Sequence, residues 1–296
     1  MDDATADRRL LLVHAHPDDE TLATGGTMAR YAAEGVQVTL VTCTLGEEGE
    51  VVLGDLGHLA AEFEDALGPH RLAELAAAMA ELGVTDHRRL GGDGAFRDSG
   101  MVGTASNDRP DCFWRADLLV AARPLVEIMR EVRPQVLITY DDFGGYGHPD
   151  HIQAHRVAAY AAFLASVPSF APELGPAWEI EKVYWPAFPR SIVAAAIEAA
   201  PEDLRSQVFG GADPAEAPFL VDDDLITSRI DTADYLSAKL AAMRAHATQI
   251  DMDSPMFQLM AAGGGLGFGS EYYRIAKGEP VLVAGDLEQD LFAGLP

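Results

Sequence analysis

Two short stretches concentrate side chains able to hold a cation and move protons. HAHPDDE (14–20) carries His14, His16, Asp18, Asp19 and Glu20, and GYGHPDH (145–151) carries Tyr146, His148, Asp150 and His151. His16 and Asp19 lie three positions apart, close enough to offer one nitrogen and one oxygen to a shared ion. Hydrolytic zinc sites take three protein ligands and keep a position for water, and a His, Asp, His set meets that need. A bound cation makes hydroxide available near neutrality, and a neighbouring carboxylate can take the water's proton. Either cluster alone has a plainer explanation, because histidines satisfy backbone groups and aspartates mark turns. Two clusters, each after an apolar run and each containing His-Pro-Asp, favour a metal-dependent hydrolytic site. The pattern matches neither paired C-x-x-C motifs nor H-E-x-x-H on a helix.

The elements that must position these clusters follow from the apolar patterning. Leu10–Val13 and the β-branched run Val36–Thr44 read as buried strands, and residues 20–34 between them have helical spacing that Gly35 can end. Such a strand–helix–strand unit implies parallel pairing with a right-handed crossover. Further helices are expected at about 69–82, 116–132 and after Gly147, and strands at 87–90 and 135–140. The loop from Gly91 to Pro110 is long enough to suggest a functional role. Beyond Pro168 the pattern loosens: a strand is expected at 179–185, helices at 190–200 and 231–247, a turn at 222–224, a flexible loop at 263–269 and a late strand at EYYRI. The expected fold is α/β, a Rossmann-like, mostly parallel sheet flanked by helices, with a less regular C-terminal region over the active-site end. Residues 1–165 would form the catalytic core and 166–296 would complete the same domain and the substrate pocket. In such folds ligands bind beyond the carboxyl ends of the strands, where both clusters fall.

Composition narrows the partners. With 21 Lys plus Arg against 47 Asp plus Glu, the 296-residue chain carries a formal charge of −26. That balance argues against extended contact with nucleic acid or anionic membranes but leaves room for a cation or a small ligand. The longest apolar stretches, Val157–Val167 and Ser191–Ala200, are too short to span a bilayer. The first residues, frayed in expectation, lack the charged and apolar regions of a signal peptide. Two cysteines, Cys43 and Cys112, make no disulfide framework, and Cys43 reads as a buried thiol. The expected location is cytoplasmic, and no oligomeric state is implied. GEEGE lacks the Lys and Ser/Thr of a phosphate loop, and Gly25–Gly26 lacks the dinucleotide fingerprint.

AHPDDE together with GHPDH resembles the zinc-dependent PIG-L/LmbE-like N-acetylglucosaminyl deacetylases, most strongly over residues 10–155. The segments TCTLGEEGEV (42–51), FRDSGM (96–101) and TYDDFGGYGHPDH (139–151) are similar to the actinobacterial mycothiol-pathway branch of that family. The resemblance implies one Zn2+ per chain, with Fe2+ a possible substitute, held by His16, Asp19 and His151. It implies Asp18 as general base, His148 as the histidine that supports the transition state and protonates the amine, and Tyr146 as the group polarising the carbonyl. Asp150 would tune a histidine, and Arg71 and Asp98 would hold the sugar. The implied substrate is the small amino-sugar N-acetylglucosaminyl-inositol.

The residues themselves leave several alternatives. Asp18 could return the proton it takes, His148 could donate another, or His148 beside Asp150 could act only through its field. From its residue type alone Arg71 reads as an ordinary surface charge, and Glu47, Glu48 and Glu50 as a polar wall or a solvated loop. Rival functions are an amidase of mycothiol S-conjugates, a broader N-acetyl sugar deacetylase, and a non-catalytic metal-containing binding protein.

Overall fold

The computed structural model describes residues 7–209, 217, 219–255, 257–258, 269–284 and 286–296. The first residues of the tail and most of the expected 263–269 loop lie outside them.

The chain begins with strand β1 (Arg9–His14), helix α1 (Asp19–Ala33) and strand β2 (Gln37–Thr42), followed by α2 (Leu67–Leu82) and β3 (Asp86–Arg89). Next come α3 (Leu118–Val132), β4 (Val136–Ile138), the single turn α4 (Gly144–Gly147) and α5 (Pro149–Ala165). The remainder contributes β5 (Lys182–Pro189), α6 (Arg190–Ala199), α7 (Glu202–Phe209), β6 (Leu220–Val221), β7 (Ser228–Asp231), α8 (Leu236–Ala245) and β8 (Ser270–Lys277).

The sheet runs β3-β2-β1-β4-β5-β8-β7, and β6 pairs with β5 off this path. Strands β3 through β5 are mutually parallel, while β8 is antiparallel to both β5 and β7. The expected Rossmann-like architecture is therefore present, with an antiparallel edge from the C-terminal region. Strand periodicity explains the two-sided core. Leu11, Val13 and Leu137 face α3 and α5, with Leu125, Val126, Met129 and Val157. Leu10, Leu12, Val136 and Ile138 face the other way, toward Met28 and Tyr31 of α1, Leu75 and Met79 of α2 and Ala242 of α8. Both faces are covered, which is why these strands are continuous apolar runs. Cys43 and Cys112 are buried as free thiols, and burial pushes the Cys43 thiol up.

The C-terminal boundaries differ from the expected ones. The strand expected at 179–185 runs from Lys182 to Pro189, and the helix expected from 231 starts at Leu236 because Ser228–Asp231 pairs with β8 instead. Edge pairing overrides local helical spacing there. β1 and β4 are neighbours, and β2 lies on the opposite side of β1. The carboxyl ends of β1 and β4 thus form the crevice where strand order reverses, the usual ligand position in open α/β sheets.

Candidate metal centre

Both His/Asp clusters meet in that crevice. HAHPDDE turns from β1 into α1, and GYGHPDH turns from β4 into α5. The long loop before α3 adds Asp98 and Ser99, both buried. His16, His148 and His151 bring ring nitrogens within 4.8 Å of one another, and one nitrogen of His16 lies equally close to carboxylate oxygens of Asp98 and Asp150.

Hydrogen bonds decide which of these atoms are free. His151 Nδ1 lies 3.1 Å from the carbonyl of Gly144. A carbonyl only accepts, so Nδ1 carries the proton and Nε2 is bare. That Nε2 is buried without a hydrogen-bond partner, 3.3 Å from Oδ1 of Asp19. His16 Nε2 faces Asp150 Oδ2 at 3.3 Å and Asp98 Oδ1 at 3.5 Å, so it is the donor nitrogen. His16 Nδ1 is then the nitrogen that could coordinate a cation once the ring gives up its second proton, and it lies 3.3 Å from Asp19 Oδ2. Asp98 and Asp150 are already occupied. Gly100 and Glu48 donate backbone N–H groups to Asp98 at 2.8 and 3.2 Å, and Ser99 donates its N–H to Asp150 at 2.9 Å and its hydroxyl to the other oxygen. His148 Nδ1 accepts the N–H of Asp150 at 3.1 Å, capping α5. Its neutral tautomer therefore points an N–H from Nε2. Asp19 Oδ2 also accepts, from Tyr140 and the N–H of His16, so the atoms left for a cation are His16 Nδ1, Oδ1 of Asp19 and His151 Nε2. An orphaned buried imidazole nitrogen beside a carboxylate fits a metal better than any hydrogen-bonded alternative.

Asp150 and Asp98 orient His16 as carboxylates orient metal-bound histidines elsewhere. Burial opposes charge on His16, but Asp98, Asp150 and Asp19 outweigh it and hold its pKa well above the ordinary value. The same field favours a cation in the crevice. His148 is pushed down to about 3 by burial, reinforced by His16 and His151, and is neutral. Asp18 is raised to about 6 by burial, against the opposing pull of Arg71.

Arg71 comes from the second turn of α2. Its guanidinium is buried, 3.2 Å from Asp18 Oδ2, and also donates to the carbonyls of Gly46 and Pro17. Gly46 has φ +68, and a Cβ there would lie 2.1 Å from Arg71 Nη1, so only glycine lets the arginine through. Gly144 is constrained likewise, since a Cβ at its φ of +67 would sit 2.6 Å from the Cβ of His151. Tyr146, on the turn α4, is 43% exposed and stands 4.9 Å from His151 between ring centroids, and its hydroxyl makes no hydrogen bond among the described residues. Glu47 is buried and accepts the N–H of Asp98 at 3.0 Å, Glu48 pairs with Arg97, and Glu50 is exposed. The acidic segment thus divides: one carboxylate supports the site and one braces its rim.

Three supporting residues are given no role by the sequence, although Tyr140 and Ser99 lie within the family-like segments 139–151 and 96–101. Tyr140, at the end of the β4 region, donates to Asp19 Oδ2 at 2.7 Å while accepting the N–H of Ala15 at 2.9 Å. Ser99 holds Asp150. His246, beyond α8, lies 2.8 Å from Glu20 Oε1. Beside Asp19, Tyr146 and His151 opens a cavity of about 360 Å³, walled by Phe143, Phe188, Phe219 and Leu225.

The family model described as PIG-L, GlcNAc-PI de-N-acetylase, matches residues 11–162. A protein of Kribbella flavida named 1D-myo-inositol 2-acetamido-2-deoxy-alpha-D-glucopyranoside deacetylase is 55% identical, with 98% of each chain covered. One of the same name from Nocardioides is 56% identical over 98% of this chain and 100% of its own. Among solved structures, N,N'-diacetylchitobiose deacetylase from Pyrococcus horikoshii superposes with a TM-score of 0.60 at 20% identity, covering 90% of this chain and 83% of its own. The 4-carboxy-2-hydroxymuconate hydratase GalB of Pseudomonas putida reaches 0.61 at 19% identity, covering 93% and 99%. At that identity the likeness is one of fold.

Proposed function

Because the chain belongs to the PIG-L family of GlcNAc-PI de-N-acetylases, we propose that it is a zinc-dependent deacetylase. Its substrate is N-acetylglucosaminyl-inositol, which it converts to glucosaminyl-inositol and acetate in mycothiol synthesis. The structural observation that carries the hydrolytic reading is the bare, buried Nε2 of His151 beside Asp19 and His16. His16, Asp19 and His151 would hold the metal, which when bound supplies an acidified water and a positive charge for the oxyanion.

The other roles belong to side chains of this chain. Asp18 takes the proton of the attacking water. A carboxyl near 6 is mostly ionised at neutral pH yet basic enough to accept a proton. The same carboxyl returns that proton to the departing amine. His148, neutral and capping α5 through Nδ1, donates an Nε2 hydrogen bond to the developing oxyanion rather than acting as an imidazolium acid. The free hydroxyl of Tyr146 donates the second. Asp150 keeps His16 oriented. Arg71 reaches the substrate side through Asp18, and Asp98 presents its carboxylate at the crevice floor. Residues 1–165 supply every one of these groups, and 166–296 complete the same domain with the walls of the pocket. None of the helices described is long and apolar enough to cross a membrane, in keeping with a small, freely diffusing substrate.

Acetate release from the acetylated pseudodisaccharide, with and without chelator, tests this reading. The expected outcome is chelator-sensitive turnover restored by Zn2+. Chelator-insensitive turnover would remove the metal from the mechanism. The apolar cavity beside Tyr146 favours one second reading, cleavage of mycothiol S-conjugates bearing an apolar group. Faster turnover of such a conjugate than of the pseudodisaccharide would make that the principal activity.

A further inference from the structure

Asp18 occupies the N-cap of α1 but does not behave as a capping aspartate. Such a residue ordinarily turns its carboxylate back onto the first N–H groups of its helix. Here the side chain makes no capping bond, φ is +120°, and 17% of the side chain remains exposed. A non-glycine residue at that φ is strained and persists only where its surroundings enforce it.

The enforcing contact comes from Glu20. Glu20 Oε2 accepts the N–H of Asp18 at 2.9 Å, while Glu20 Oε1 lies 2.8 Å from His246 Nε2. Neither Glu20 nor His246 has any solvent access. His246 is itself anchored. It follows α8, and two residues on Thr248 donates through N and Oγ1 to Glu74 of α2 at 2.8 and 2.7 Å. The N–H of Val52 closes on the carbonyl of Thr248 at 2.9 Å. Hydrogen bonds to charged groups are stronger than neutral ones, so this buried chain of contacts can hold the strained backbone.

We propose that Glu20 and His246 are positioning residues that hold the Asp18 backbone in its unusual conformation, so that its carboxylate serves the reaction instead of capping α1. This rests on the assignment of Asp18 as the base. The C-terminal part of the chain thereby sets the geometry of a residue in the first motif.

The test uses the zinc-loaded full chain and acetate release from the acetylated pseudodisaccharide. Glu20→Ala is expected to lower kcat roughly 10- to 100-fold, as small misplacements of reacting groups do, with KM within twofold and zinc content unchanged. Glu20→Gln keeps an oxygen for the Asp18 N–H and is expected to recover most of that loss. His246→Leu should act in the same direction, His246→Gln should rescue it, and Glu20→Ala with His246→Leu should cost no more than Glu20→Ala alone. In an Asp18→Asn background, Glu20→Ala should leave the residual rate unchanged. A kcat for Glu20→Ala within threefold of the parent, a loss of zinc, or Glu20→Gln as impaired as Glu20→Ala would each overturn the proposal. If Glu20→Ala does not fold, the His246 pair carries the same comparison. Full turnover by Asp18→Asn would sink the base assignment itself, whereas an inactive Asp18→Asn beside a fully active Glu20→Ala would sink only the positioning role.

Discussion

Arg71 Nη2 lies 3.2 Å from Asp18 Oδ2, with the guanidinium almost wholly removed from solvent. Burial raises Asp18 and Arg71 opposes that rise. Removing the guanidinium takes away a positive charge that favours the ionised form, so the pKa must climb further. In Arg71→Met the acid limb of kcat/KM is expected to move to higher pH by about 1–2 units, the effect of an arginine beside an aspartate. A pH–rate profile of the zinc-loaded variant against the parent measures it. An unmoved acid limb would mean that Asp18 does not set it.

The tautomers divide the three clustered histidines into two kinds. His151→Ala removes the bare nitrogen and is expected to abolish stoichiometric zinc binding. His148→Gln leaves the ligand atoms intact and is expected to keep one zinc per chain while turnover falls about 10²–10³-fold, as for loss of an oxyanion donor. Metal analysis after dialysis separates the two. Zinc retained by His151→Ala and lost by His148→Gln would reverse the assignment.

Asp150 faces His16 Nε2 at 3.3 Å and is held by Ser99. Asp150→Asn can turn its amide toward His16 and disturb the tautomer that leaves Nδ1 free. Zinc affinity is expected to fall about 10–100-fold, the usual cost of losing a carboxylate behind a metal-bound histidine. Competition with a chelator of known affinity reads it directly, and unchanged affinity would argue that Asp150 serves another purpose.

Away from the site, Glu288 is buried and accepts from Lys182 Nζ at 2.7 Å, Tyr184 hydroxyl at 2.6 Å and Ser228 hydroxyl at 2.8 Å. Glu288→Ala strands a buried ammonium, a change that costs about 3–5 kcal/mol. In a chain of this size the expected fall in Tm is roughly 6–15 °C, with kcat at 25 °C within a factor of two. Thermal melts and a rate assay below the transition check both halves.

The fold and the centre of the site were legible in the sequence for the same reason. A parallel strand buried on both faces is a continuous apolar run, and the loop after it is where ligands bind, so β1, β4 and their two His/Asp loops could be read together. What could not be read is whatever acts across long sequence separations. Tyr140 looks like one more core aromatic closing QVLITY, yet its hydroxyl holds Asp19. Ser99 is one polar residue in a polar loop until the fold sets it against Asp150. His246 sits in a helical pattern 226 residues from the Glu20 it meets. The edge strand β7 is not expected from the local pattern at all and ends where the helical spacing begins, at Asp231, because pairing with β8 is a tertiary effect. The apolar cavity draws Phe143, Phe188, Phe219 and Leu225 from separate segments, and no local pattern announces that they converge.

Both sulfurs of the cysteines are sealed, Cys43 at the end of β2 with its thiol driven upward and Cys112 beneath the long loop. Oxidation and alkylation proceed through an accessible thiolate, and this protein offers none. Neither cysteine of the folded chain is therefore a ready target for thiol oxidants or alkylating reagents.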